Sequence, residues 1–262
     1  MSFVENDARS CYNRYMSFIL ARKRYLEDGF FVVKHVKRIS STNDALKTLS
    51  TRQAREGFVL VSDVQTKGKG RLGRTFFSPR GGLYFSILVS PKSDEVKNAL
   101  TVLSAVAVAK AVRETTGDDA LVKWVNDVYI DGKKCCGILT ETTQNLAGFA
   151  IVGIGVNIGS VPKEVQDLAC GVTVQGKDTK EKLLKAILHN FAELYLNFDK
   201  QKIVSEYRSL CMLLGRKVTV LSNDGSEYKA LVKDLDGDCR LIVTDGQGKE
   251  HTLDSGEVKI II

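Results

Sequence analysis

The segment from Gln65 to Ser86, QTKGKGRLGRTFFSPRGGLYFS, restricts the fold more than any other, because a glycine-rich basic loop runs straight into a strand. Glycines at 68, 70 and 73 permit positive φ and close approach of backbone N–H groups to a ligand, while Lys69, Arg71 and Arg74 set charge between them. That combination suits an anion. Taken alone, the same residues also fit a flexible basic surface loop or a non-specific nucleic-acid patch. Phe76 and Phe77 then break the polarity, Pro79 with Gly81 and Gly82 makes a turn, and the run from Leu83 to Val89 has the aromatic and β-branched content of a buried strand. A loop fastened to a core strand is a poor candidate for a floppy tail.

With 262 residues, 44% of them hydrophobic, the chain can bury a substantial core, as one large domain or as a main domain with a small one. There is no run of about 18 apolar residues, so no membrane span is expected. Met1 to Leu20 lacks the apolar core of a secretory signal. Tyr12, Tyr15, Met16, Ile19 and Leu20, with Arg9, Arg14 and Arg22, could form a basic amphipathic helix of the organelle-transit kind, against which stand Glu5 and Asp7. The expected compartment is therefore the cytoplasm, with the mitochondrion as the alternative. A formal charge of +7 fits an enzyme handling anions, an acidic partner or nucleic acid, and does not choose among them. The six cysteines, at 11, 135, 136, 170, 211 and 239, form no CxxC pair and no disulfide framework, which favours reduced thiols. No metal site is assigned.

Along the chain, Phe30 to Val33 with Val36 and Ile39 reads as a strand leading to Ser40-Ser41-Thr42-Asn43-Asp44, which are N-cap residues for a helix over 45–54. Ser41, Thr42 and Asn43 would sit at its start, where plain capping accounts for at least one of them. Gly57 to Ser62 reads as a second strand feeding Gln65 and the glycine loop. Its spacing matches neither the Walker loop nor GxGxxG. Asn98 to Thr115 is apolar nearly all round, as in a helix between layers, and Gly117 closes it.

Leu121 to Ile130 reads as one strand that carries Lys123 among apolar residues and then breaks polarity at Asn126 and Asp127. An edge lysine reaching for water explains a lone lysine, but three polar groups at one strand end also suit a ligand. Next come a turn at Asp131-Gly132 and strands over 136–141 and 147–158, in which Gly153 and Gly155 leave one face bare. Asn157 caps backbone groups there or meets a ligand. Asp178 and Glu181 form a capping box for a helix to about Phe198, and a further apolar stripe ends at Gly215. Beyond it, turn signals at Asn223-Asp224-Gly225, Asp236-Gly237-Asp238 and Asp245-Gly246 separate short alternating strands. The expected class is α+β: an N-terminal extension (1–28), a mixed β-sheet catalytic domain covered by helices (29–215), and a small C-terminal all-β barrel domain (216–262).

The blocks GKGRLGRTFFSPRGGLYFS, VKWVNDVYIDGKKCCGILTE and VGIGVNIG, in this order and spacing, together with the small β domain, resemble those of the biotin protein ligases. The resemblance covers roughly Ser40 to the end. It implies a two-step ligase: biotin and ATP, with Mg²⁺, give biotinyl-5′-adenylate and pyrophosphate, and the biotinyl group passes to a lysine of a carboxylase carrier domain. By resemblance, Lys123 bridges the biotin carboxylate and the phosphoryl group, and Lys69, Gly70 and Arg71 belong to a loop folding over the acyl-adenylate. Ser41, Thr42, Asn43, Gln65, Gly68 and Gly137 match biotin-binding positions, while Arg74, Phe76, Asn126 and Asn157, with Arg71 and Lys123, match ATP-binding ones. Lys69 stands where many members carry arginine, keeping charge but losing bidentate geometry. Val125 stands where proline is usual, and Phe76 where tryptophan is common, which weakens stacking without removing it.

With about 40 residues ahead of Ser40, no helix-turn-helix fits, so neither DNA nor a membrane is an expected partner; a homodimer is compatible with the resemblance. Lipoate ligases share the adenylation logic, but the GKGRLGR loop speaks for biotin. A nucleic-acid module would need clustered lysines with interleaved aromatics, which residues 216–262 lack. An inactive scaffold would have lost Lys123 or the glycine loop.

Overall fold

A computed structural model describes residues 24–25, 29–49, 51–221, 226–254 and 257–260. The amphipathic segment expected near the N-terminus and the Asn223-Asp224-Gly225 turn lie outside these residues. Two sheets organise the rest. The first uses β1 (Arg24–Tyr25), β2 (Val32–Val36), β3 (Phe58–Ser62), β4 (Leu83–Val89), β5 (Leu121–Lys123), β6 (Asp127–Ile130), β7 (Lys133–Thr142) and β8 (Ala150–Val156), in the order β1-β2-β3-β4-β8-β7-β6-β5. Among the described strands of this sheet only β2 and β3 pair in parallel, which demands a crossover, and α1 (Thr42–Lys47) supplies it. All strand residues of β3 and β4 are buried, because both faces of the sheet are covered.

On one face, Ile39, Leu46 and Leu49 from α1 and its flanks pack on Phe58, Leu60, Leu88 and Ile151. On the other, α2 (Asp94–Thr116) lies against the sheet. Ser93 caps its start by accepting from Val96 N, and Gly117 ends it at φ +78°. Leu103, Val106 and Val112 are fully buried, and α3 (Thr179–Leu196) packs on α2 through Leu183, Ile187 and Phe191.

Three expectations need correction. The first helix ends at Lys47 rather than reaching residue 54: Thr48 returns both its N–H and its hydroxyl to Ala45 O, and no apolar stripe follows Leu49. Leu121 to Ile130 is not one strand, because residues 124–126 turn and fold β6 back onto β5. Asp178 makes no capping bond to the start of α3; its carboxylate instead pairs with Lys182 at 2.8 Å.

After α4 (Lys200–Leu210) the chain enters the second sheet, built from β9 (Lys217–Leu221), β10 (Glu227–Leu235), β11 (Leu241–Asp245), β12 (Glu250–Leu253) and β13 (Glu257–Ile260). It is wholly antiparallel in the order β12-β11-β10-β9-β13, and among the described residues its two end strands are not paired to each other. The fold is α+β, a mixed sheet with helices plus a small antiparallel one. The five cysteines among the described residues are free, and burial pushes the Cys136 thiol well above its ordinary range. No helix among the described residues is long and apolar enough to cross a membrane.

Candidate active site

Register lays out the site floor. Lys123 on β5 stands across from Asp127 on β6, Asp127 from Gly137 on β7, Gly137 from Gly155 on β8, and Gly155 from Tyr84 on β4. This row puts polar groups at one end and two glycines in the middle. A second row sets Leu139 across from Gly153, and Gly153 from Ser86. Both glycines are obligatory for what covers them: a Cβ at Gly155 would stand 2.5 Å from the Phe76 ring, and one at Gly153 would collide with Asn43 Oδ1. The bare face read from the sequence is thus filled by one aromatic ring and one amide.

Over the floor lies a cavity of about 500 Å³. At one end a polar cluster joins α1 to the glycine loop. Gln65 Oε1 accepts from Thr42 N and Thr42 Oγ1 at 2.8 and 3.0 Å; Gln65 Nε2 donates to Ser78 Oγ at 3.1 Å. Asn43 Nδ2 donates to Glu141 Oε2 at 2.8 Å, and its Oδ1 lies 2.5 Å from Ser86 Oγ. Ser41 performs the plain capping role, accepting from Asp44 N, while also lining the cavity.

The glycine loop arches over the other end. Lys69 Nζ reaches Asp44 Oδ1 at 2.8 Å, a hydrogen bond that raises the lysine above its usual range, and Arg71 Nη1 donates to Asn126 Oδ1 at 3.1 Å. Leu72 and Gly73 take positive φ at the tip, +54° and +73°. Tyr84 braces the loop's return by donating to Pro79 O at 2.9 Å; burial pushes its phenol up to about 12, so it stays a donor at neutral pH.

Lys123 Nζ points into the cavity, 3.5 Å from Tyr129 Oη and 5.3 Å above that ring's centroid. Lys134 Nζ lies 2.7 Å from Asp127 Oδ1 and 5.9 Å above the Phe76 ring. That carboxylate oxygen is buried and its contact lacks hydrogen-bond directionality, so the pair is best described as a close ion pair. Lys69, Arg71, Arg74, Lys123 and Lys134 line the cavity, against Asp127 as the one carboxylate among the described lining residues. Low-dielectric walls concentrate such a field on an anionic guest.

Of the residues singled out from the sequence, Ser41, Thr42, Asn43, Gln65, Lys69, Gly70, Arg71, Arg74, Phe76, Lys123, Asn126 and Gly137 come together here. Gly68 and Asn157 do not line the cavity. Gly68 sits beneath the loop, where a Cβ would meet the Phe76 carbonyl and lie 2.5 Å from Ser78 Oγ. Asn157 Nδ2 donates to Cys170 O at 3.2 Å, the backbone-capping role. Asp127, one of the three polar groups read at this strand end, also lines the cavity, and Tyr129 and Lys134 are additions that the sequence reading assigned no role.

A family model described as the biotin/lipoate A/B protein ligase family matches residues 35–157, and one described as the biotin protein ligase C terminal domain matches residues 213–260. The bifunctional ligase/repressor BirA of Bacillus subtilis is 30% identical over 230 residues, covering 82% of this chain and 71% of that protein. The chain belongs to the biotin protein ligase family. A second ligase of the family, the biotin acetyl-CoA-carboxylase ligase of Mycobacterium tuberculosis, is 29% identical over 239 residues, 85% of this chain and 86% of that protein. The biotin protein ligase from Aquifex aeolicus in complex with biotin and ATP superposes with a TM-score of 0.71 at 29% identity, covering 87% of this chain and 98% of that one.

As a biotin protein ligase, the chain makes one residue of its floor directly testable. Gly155→Ala must push the Phe76 ring into the cavity, because a Cβ would stand 2.5 Å from it. Overpacking of this kind costs about 1–3 kcal/mol. Affinity for a non-hydrolysable acyl-adenylate, measured by calorimetry, is expected to fall about tenfold or more, the equivalent of 1.4 kcal/mol or above.

Proposed function

We propose that this chain activates biotin with ATP and then biotinylates a lysine of a carboxylase carrier domain. In the first step a biotin carboxylate oxygen attacks the α-phosphorus of ATP, and the bond to the bridging oxygen breaks with release of pyrophosphate. In the second, a deprotonated lysine amine attacks the acyl carbon of the adenylate and AMP leaves. Residues 29–215 serve as the catalytic unit and 216–262 as the small β unit, with 1–28 an extension. Mg²⁺ enters with the nucleotide, as part of the substrate. Among the described residues there is no group of three His, Cys, Asp or Glu that could hold it by themselves.

The observation that carries the reading is the placement of Lys123 and Arg71 in one cavity whose far end is a hydrogen-bonding cluster. Bringing carboxylate and phosphate to bonding range means overcoming a repulsion of about 4 kcal/mol per charge pair at ~4 Å and an effective dielectric near 20. Lys123 offsets it from the sheet and Arg71 from the loop, with Arg74 and Asn126 near the nucleotide. Thr42, Asn43 and Gln65 offer donors and acceptors to a ureido ring. A dithiolane ring has none to return, so a lipoate acyl group would leave them unmatched. Pyrophosphate exchange into ATP tests the reading. Exchange is expected with biotin and not with lipoate or without an acid; exchange driven by lipoate alone, or by no acid, overturns it.

A further inference from the structure

The turn that carries Lys123 and Asn126 is held from outside its own sheet. Trp124, 6% exposed, donates its indole N–H to Cys239 O at 2.8 Å. The fully buried Tyr207 on α4 donates its hydroxyl to Val125 O at 3.1 Å. Met212 N, on the segment joining α4 to β9, donates to Val122 O at 2.9 Å. Three residues of the stretch 122–125 are thus tied to the chain beyond residue 206, and one acceptor belongs to the small β unit.

That acceptor is itself fixed. Asp236 Oδ1 accepts from Asp238 N and Arg240 N at 2.8 and 2.9 Å, and its Oδ2 pairs with Arg240 Nε at 2.6 Å. Cys239 lies between these anchors with φ +58°, so its carbonyl is aimed at the indole by a hairpin that lies outside the cavity lining. Burial pushes the Tyr207 phenol well above its ordinary range, which keeps it a donor.

We propose that Tyr207 and the Asp236 hairpin are positioning residues, through which α4 and the small β unit set where the Lys123 ammonium and the Asn126 amide stand. The inference rests on the function proposed above. A displacement of about 1 Å at a reacting group can cost on the order of 10²-fold in rate, so a turn overdetermined by three external tethers has a kinetic purpose as well as a structural one. The hydrogen-bonding cluster of α1 and the segment after β3, around Thr42 and Gln65, shares none of these tethers. The expected signature is therefore a loss in kcat with KM for biotin unchanged.

Three variants test it, with kinetics of biotin-driven pyrophosphate exchange and thermal melting of the full chain. Tyr207→Phe removes one hydroxyl, and Asp236→Ala loosens the acceptor from a distance. Arg208→Leu is the control: it cuts an equally close tie between α4 and the small unit, to Leu235 O at 2.6 Å and Asp234 Oδ1 at 2.8 Å, both acceptors lying outside 122–126. Both Tyr207→Phe and Asp236→Ala are expected to lower kcat by about tenfold or more, with KM for biotin within twofold, while Arg208→Leu keeps kcat within twofold even where its Tm falls as far. Either test variant keeping kcat within twofold overturns the inference, as does an equal kcat loss in the control. An unmodified chain showing no biotin-driven exchange fails the functional reading instead.

Discussion

Lys123→Gln is expected to lower kcat for biotin adenylation by about 10³-fold, at the upper end of what removal of one preorganised electrostatic donor costs. The amide keeps most of the stem and one donor, so packing against Tyr129 survives and Tm should stay close to that of the unmodified chain. What is lost is the charge. Lys123 lies at the end of β5, opposite Asp127 in the row that passes through Gly137 and Gly155, and it reaches the cavity from the sheet, not from a loop. A group on a rigid strand stabilises developing charge without first having to reorganise. KM for biotin should change far less than kcat, since in the proposed arrangement the cation acts on reacting atoms while the ureido ring is held at the other end. Steady-state exchange kinetics read both numbers; a kcat within tenfold of the unmodified chain contradicts the assignment.

Arg71→Ala has the second-largest expected effect, on retention of the intermediate. The guanidinium donates to Asn126 Oδ1 and lines the cavity, so it latches the loop and, in the proposed arrangement, faces the anhydride. Hydrogen bonds to charged groups contribute about 1.5–3 kcal/mol, which converts to release of the acyl-adenylate roughly 10- to 100-fold faster. The remaining latch, Lys69 to Asp44, is half exposed and offsets little of this. Released biotinyl-adenylate acylates exposed amines, so promiscuous biotinylation of a bystander protein should rise in step with the off-rate. Unchanged retention in a rapid-filtration assay contradicts the loop's role as a cover.

Much of this was legible in the residues. The strand from Leu83 to Val89 and the all-round apolar α2 with its Gly117 stop follow from local pattern, whereas the convergence of the glycine loop with Lys123 was implied only by the resemblance to the family. Lys134 was not legible, and the reason is specific. Gly137 faces the cavity, so a strict period of two would put Cys135 on that face and Lys134 on the other. An irregularity between Val128 and Tyr129 shifts the register, pairing Tyr129 with Lys134, and the ammonium emerges over Phe76. The turn at 124–126 was hidden in a similar way. Lys-Trp-Val reads as strand, and only the distant partners of Trp124 and Val125 explain why the chain folds back there. For Asn157 the residues left two alternatives open, and the structure shows the backbone-capping one, with Nδ2 donating to Cys170 O.

The proposal that cations from a strand and a loop close on one phosphoryl group is tested most directly by a crystal structure of the chain with a non-hydrolysable biotinyl-adenylate mimic. The account predicts Lys123 Nζ and an Arg71 guanidinium nitrogen each within about 3.2 Å of the phosphate-mimicking oxygens, with the ureido ring against Thr42 and Gln65. A bound mimic whose phosphoryl group lies beyond hydrogen-bond reach of Lys123 contradicts it.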